Sequence, residues 1–144
     1  MKDIIFILPN ENLEGVNKAT QAPSLGVAYL TAALLKHGLS CRVVDMAIEK
    51  LGIMDALNII DKDDPSVVGI SANLFTGRSA ISLSKEIRTK FGNRHTIVFG
   101  GAFPTSSPQK FLVEGQADAV VLGEGEETLL ELMRNFKEKA AGAL

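Results

Sequence analysis

Five short runs of β-branched and aliphatic residues alternate along this chain with longer stretches in which apolar side chains recur every three or four positions. That alternation is the signature of βα units, and it restricts the chain to folds with a parallel sheet. The runs at 3–8, 41–45, 66–71, 95–100 and 118–122 are almost continuously apolar, as expected of strands covered on both faces. A first helix is expected after Pro23 and Ser24, with Leu25, Ala28, Tyr29, Ala32 and Leu35 on one face and a stop at Gly38. Its polar face is small, so tight packing is expected. The second spans 52–62 and ends at Asp63-Asp64-Pro65, the third spans 77–91 and closes at Gly92-Asn93, and 107–114 make a short fourth. The last begins in the acidic turn 124–127 and turns Leu129, Leu132, Met133 and Phe136 inward, with Lys137–Leu144 expected to fray.

Right-handed crossovers then favour an α/β, flavodoxin-like (Rossmann-like) three-layer α/β/α sandwich whose five-stranded parallel sheet is ordered 2-1-3-4-5. A chain of 144 residues suits one such domain, 1–144. In this topology the loops after strands one, three, four and five meet at the carboxyl edge, where such sheets bind ligands. Glycine-rich turns fall on that edge: Val68-Gly69-Ile70-Ser71, Phe99-Gly100-Gly101-Ala102-Phe103-Pro104 and Gly123-Glu124-Gly125-Glu126-Glu127-Thr128. Together they predict a surface where a large flat ligand meets backbone. The first loop, Pro9–Pro23, is longer than βα connections usually are, which points to function or flexibility.

Several function classes are disfavoured. A net charge of −2 leaves no electrostatic footprint for nucleic acid or an anionic membrane. The run Ile4–Leu8 is too short for a signal peptide or a membrane span, so a cytoplasmic setting is expected. Cys41 is the lone cysteine; it excludes an intrachain disulfide and an iron–sulfur site, and reads as a core thiol. His37 and His95 map to the amino edge of the sheet, His37 as a helix-end cation and His95 as a solvated strand entry, so no metal ligand or general base is expected of either. There is no Walker loop and no Gly-x-Gly-x-x-Gly after the first strand. Glu124, Glu126 and Glu127 would repel a phosphate at the last helix start. No catalytic residue is assigned.

At the expected site, Ser71, Asn73 and Thr76 offer hydroxyl and amide groups beside Ala72, with Ser71 or Thr76 alternatively serving as helix caps. Gly100 and Gly101 imply close approach by backbone or ligand, and Ala102, Phe103 and Pro104 form a small apolar ledge. Gly123, Glu124, Gly125 and Glu126 read either as a backbone surface for an uncharged, hydrogen-bonding ligand or as dipole-favourable capping residues.

Four stretches in order, Pro23-Ser24-Leu25-Gly26-Val27-Ala28-Tyr29-Leu30, Val67 to Ser71, Gly100 to Thr105 and Asp118 to Thr128, resemble the cobalamin-binding domain of cobalamin-dependent radical S-adenosylmethionine (radical SAM) proteins. The resemblance implies a corrinoid across the carboxyl edge, its nucleotide tail directed into the protein. Carried over by position, Ser71 and Asn73 contact the tail, Gly100 and Gly101 make room for it, the 123–126 turn adds to the wall, and Leu25 and Gly26 lie at the first loop. Domains that supply an axial histidine carry Asp-x-His-x-x-Gly after the first strand. Here that loop reads Pro9-Asn10-Glu11-Asn12-Leu13-Glu14-Gly15, which implies a cobalt without a protein imidazole, and Ala102-Phe103 replaces a frequent Pro-His.

S-adenosylmethionine and a 4Fe-4S cluster would belong to a following radical SAM domain, since that cluster needs three cysteines. The chain is therefore expected to be the amino-terminal part of a larger enzyme of methyltransferase type, and not catalytic alone. The alternative is a flavodoxin-like docking or sensor module without corrinoid. Phosphorelay is disfavoured, because Asn10-Glu11, Ser71 and Gly123 stand where a receiver needs acids and a lysine.

Overall fold

The computed structural model describes residues 1–10 and 24–142. Five parallel strands, β1 (Ile4–Leu8), β2 (Cys41–Asp45), β3 (Val67–Ser71), β4 (Thr96–Gly100) and β5 (Ala119–Val120), are ordered β2-β1-β3-β4-β5, as the crossover rule requires. The register pairs Phe6 with Val43 and with Gly69, and Gly69 with Val98. Strand side chains alternate between two cores. Ile5, Ile7, Val68, Ile70, Ile97 and Phe99 pack against the helices α2 (Ile53–Asp63), α3 (Gly77–Phe91) and α5 (Pro108–Val113). Ile4, Phe6, Val67 and Val98 pack against α1 (Leu25–Lys36) and α6 (Glu126–Gly142).

Helix ends follow local chemistry. Ser24 caps α1, its Oγ accepting from Val27 N at 3.3 Å. Asp55 accepts from Gly52 N–H at the start of α2, and Gly92 closes α3 with φ +60°. Pro23, the expected boundary before α1, and most of the Pro9–Pro23 loop lie outside the described residues.

Several expectations are corrected. The face of α1 carrying Leu25, Ala28, Tyr29, Ala32 and Leu35 is the exposed one, whereas Val27 and Leu34 are buried. A helix apolar on every side has no moment to orient it, so the sheet and α6 decide. Ala102, Phe103 and Pro104, expected as a small apolar ledge, belong to a short helix α4 (Ala102–Ser106) ahead of α5 that the sequence reading did not include. β5 is two residues rather than five, bounded by the bonds from Asp118 N–H to Ile97 O and from Val121 N–H to Phe99 O. α6 does not fray at Lys137 but runs to Gly142, with Phe136 still packed and Lys137 3.5 Å from Asp3.

His95 is not a solvated strand entry. It is 1% exposed, its Nδ1 lies 2.6 Å from Pro65 O, and its ring stands edge-on to Phe91. Its Nε2 is buried with no partner among the described residues.

Candidate functional site

The carboxyl ends of β1, β3 and β4 open into a cavity of about 750 Å³, within the range of small-molecule sites. It runs down the sheet face covered by α1 and α6, so that Phe6, Gly69 and Val98 form its floor. One wall is the start of α1, through Leu25, Gly26, Val27, Tyr29 and Leu30. The other is the turn after β5, through Val121, Gly123, Glu124 and Gly125, together with Glu126 and Leu129 of α6. Most of the wall is apolar; Ser24, Ser71, Asn73 and Thr76 add neutral polar groups.

The glycines at this edge have separate physical causes. At Gly69 a Cβ would stand 3.0 Å from Phe6 Cδ1, so the bare backbone lets the Phe6 ring lie across the sheet. At Gly100 the nearest atom to an added Cβ is Val121 O at 4.0 Å, and at Gly26 nothing lies within 4 Å; both positions leave open space on the cavity side. Gly101 is different, because its φ of +106° and a Cβ position 2.6 Å from Ala72 O serve the packing of the chain on itself. Gly125 is likewise confined, since an added Cβ would stand 2.7 Å from Val121 Cγ1, while Gly123 supplies a φ of +66° for the turn. That turn is fastened by Gly123 N–H donating to Thr105 Oγ1 at 3.0 Å.

Of the expected site residues, Leu25, Gly26, Ser71, Ala72, Asn73, Thr76, Gly100, Gly101, Ala102, Gly123, Glu124, Gly125 and Glu126 line the cavity. Phe103 and Pro104 do not. Phe103 turns under α3, where a Cβ on Gly77 would be 2.6 Å from its ring, and meets Phe111 edge-on; Pro104 is buried. Asn73 Oδ1 accepts from Phe75 N and Thr76 N, and Thr76 Oγ1 accepts from Asn73 N at 3.0 Å. These two side chains shape the β3–α3 turn, and Thr76 makes no capping bond along α3.

Cavity-lining residues that were not among those expected from the sequence include Asp45 at the end of β2, Ala47 after it, and Tyr29 on α1. The loop after an edge strand was not expected at the switch point. The available signal was Asp45 itself, a polar residue ending an apolar run. Its Oδ1 accepts from Ala47 N and Ile48 N, which turns that loop back toward the cavity.

His37 and His95 are both remote from this edge, and no group of three His, Cys, Asp or Glu that could hold a metal occurs among the described residues. Cys41 starts β2 at the amino edge, where burial and the nearby Asp3 push its thiol pKa up to about 11, above Lys2's opposing effect. No described helix is long and apolar enough to cross a membrane.

The family model described as B12 binding domain matches residues 15–133. The chain is 34% identical over 134 residues to an uncharacterized methyltransferase of Pyrococcus horikoshii, covering 92% of this chain and 29% of that protein. It is 26% identical over 141 residues to the anaerobic magnesium-protoporphyrin IX monomethyl ester cyclase of Cereibacter sphaeroides, covering 93% and 22%. The chain thus spans less than a third of these curated relatives. Among solved structures, the cobalamin-dependent S-adenosylmethionine radical enzyme OxsB with aqua-cobalamin bound superposes with a TM-score of 0.79 at 21% identity, over 96% of this chain and 19% of that one. The radical S-adenosylmethionine methyltransferase TsrM of Kitasatospora setae, with cobalamin and a 4Fe-4S cluster bound, gives 0.73 at 20%, over 96% and 27%. At such identities the shared property is the fold.

Proposed function

We propose, for a chain that belongs to the B12-binding domain family, that the cavity takes the nucleotide tail of a cobalamin while the carboxyl edge of the sheet supports its corrin ring. The observation that carries this reading is the bare, deep opening at the switch point: the missing side chains at Gly26 and Gly100 leave space between α1, α6 and the sheet, above Gly69. A flat aromatic base suits the apolar floor of Phe6 and Val98, and Ser71 can donate to or accept from it. Gly100 lets backbone approach the ligand, Gly101 clamps the turn behind it, and the fastened turn Gly123–Glu126 closes the far side.

His37 and His95 both stand away from this edge, so neither would serve as a ligand to the cobalt of a corrinoid held here. Cobalamin supplies a cobalt centre able to carry a methyl group or to take part in radical chemistry. Its partner in this reading is a radical SAM domain that brings the S-adenosylmethionine and 4Fe-4S cluster, a reading supported by the cobalamin- and cluster-bound TsrM structure, of which this chain covers 27%. The residues of this chain bind and orient; none of them transfers a group.

The test is uptake of hydroxocobalamin by the purified chain, followed by gel filtration and the visible spectrum. The expected result is one corrinoid per chain for the parent and loss of uptake in Gly100→Leu, whose side chain enters the cavity. A folded parent that retains no corrinoid refutes the reading and favours a ligand-free docking module.

A further inference from the structure

We propose that the cavity selects by charge, taking a fully amidated corrinoid and discriminating against one whose peripheral amides are hydrolysed to carboxylates. The inference rests on the corrinoid reading above and names the chemical form that the site accepts.

The cavity wall includes three carboxylates, Asp45, Glu124 and Glu126, and no Lys, Arg or His among the described residues that line it. None of the described ion pairs involves them; Arg42, Arg88, Arg94, Lys110 and Lys137 are all paired elsewhere. The three approach the opening from different directions. Asp45 is fixed on the β2 side by the N–H groups of Ala47 and Ile48, and Glu49 accepts from Asp45 N–H, a second carboxylate in a loop that also carries Lys50. Glu124 and Glu126 stand on the opposite side, in the turn held by Thr105.

An ionised carboxylate only accepts hydrogen bonds. Primary amides on a corrin edge present N–H donors to such a wall. A carboxylate in the same place presents no donor and a like charge. The molecule as a whole carries a formal charge of only −2, so this preference is local to the opening. Each exposed charge pair changes binding by a factor of about 1.5 to 5.

The experiment compares hydroxocobalamin with its separated monocarboxylic acids, each made by hydrolysis of one side-chain amide, in equilibrium titrations at low and high salt. The phosphodiester of the tail is common to every probe and cancels in the ratio. The expected result is that at least one acid binds several-fold more weakly than hydroxocobalamin at low salt. That ratio should shrink at high ionic strength, through screening, and fall toward one in Glu124→Gln/Glu126→Gln. Equal binding of all the acids and hydroxocobalamin at low salt overturns the charge selection while leaving the corrinoid reading in place. A ratio unchanged in the double variant overturns the assignment to Glu124 and Glu126. Absence of binding by any probe overturns the corrinoid reading itself, and this inference with it.

Discussion

Replacing Gly101 by alanine tests whether the paired glycines after β4 serve different ends. The new Cβ would sit 2.6 Å from Ala72 O and 3.2 Å from Ala72 N, and the backbone at φ +106°, ψ −177° is a conformation that side chains resist. That strain alone costs about 1–3 kcal/mol. Relief requires moving Ala72, whose N–H donates to Gly100 O at 3.0 Å and whose carbonyl accepts from Phe103 N at 3.4 Å. Weakening one of these bonds adds about 1 kcal/mol. A loss of roughly 2–4 kcal/mol follows, which for a domain of this size lowers Tm by roughly 10 °C. Gly100→Ala, with nothing nearer than 4.0 Å, should melt close to the parent. Thermal unfolding followed by circular dichroism separates the two. Equal melting temperatures for Gly101→Ala and the parent, or an equal drop for both variants, would refute the steric argument.

Gly77→Ala should lose about 1–3 kcal/mol by driving its methyl into the Phe103 ring, and a double variant with Phe103→Leu should recover part of it in urea titrations. Cys41 should react slowly with a disulfide reagent at neutral pH in the folded chain and rapidly in denaturant, because its raised pKa leaves little thiolate. Asp3 is pushed up by burial, but hydrogen bonds from Ser40 and the charge of Lys137 outweigh this and hold its carboxyl below the ordinary value. A depressed folded pKa contributes stability above the unfolded value, near pH 4, and loses it as pH falls through the folded one. Asp3→Asn should therefore be less stable than the parent at neutral pH, and the difference should close on acidification, as read from urea midpoints across pH.

The strand order, both faces of each central strand and the position of the opening were legible in the chain, because they depend on local regularities. Alternation between Ile4, Phe6 and Ile5, Ile7 assigns those residues to opposite cores whatever packs there. Right-handed crossovers leave few arrangements for five βα units, and glycines at strand ends mark the edge they share. Tertiary structure alone decided which side of α1 is covered. Its residues are apolar all round, so only contact with the sheet and α6 separates Val27 and Leu34 from Tyr29 and Leu35. It likewise decided that Phe103 belongs under Gly77 rather than in the cavity, that Asp45 joins the wall from an edge strand, and that Gly100 is open where Gly101 is clamped. Periodicity reports how a segment repeats along itself. Distances between residues far apart in the chain exist only once the layers have packed.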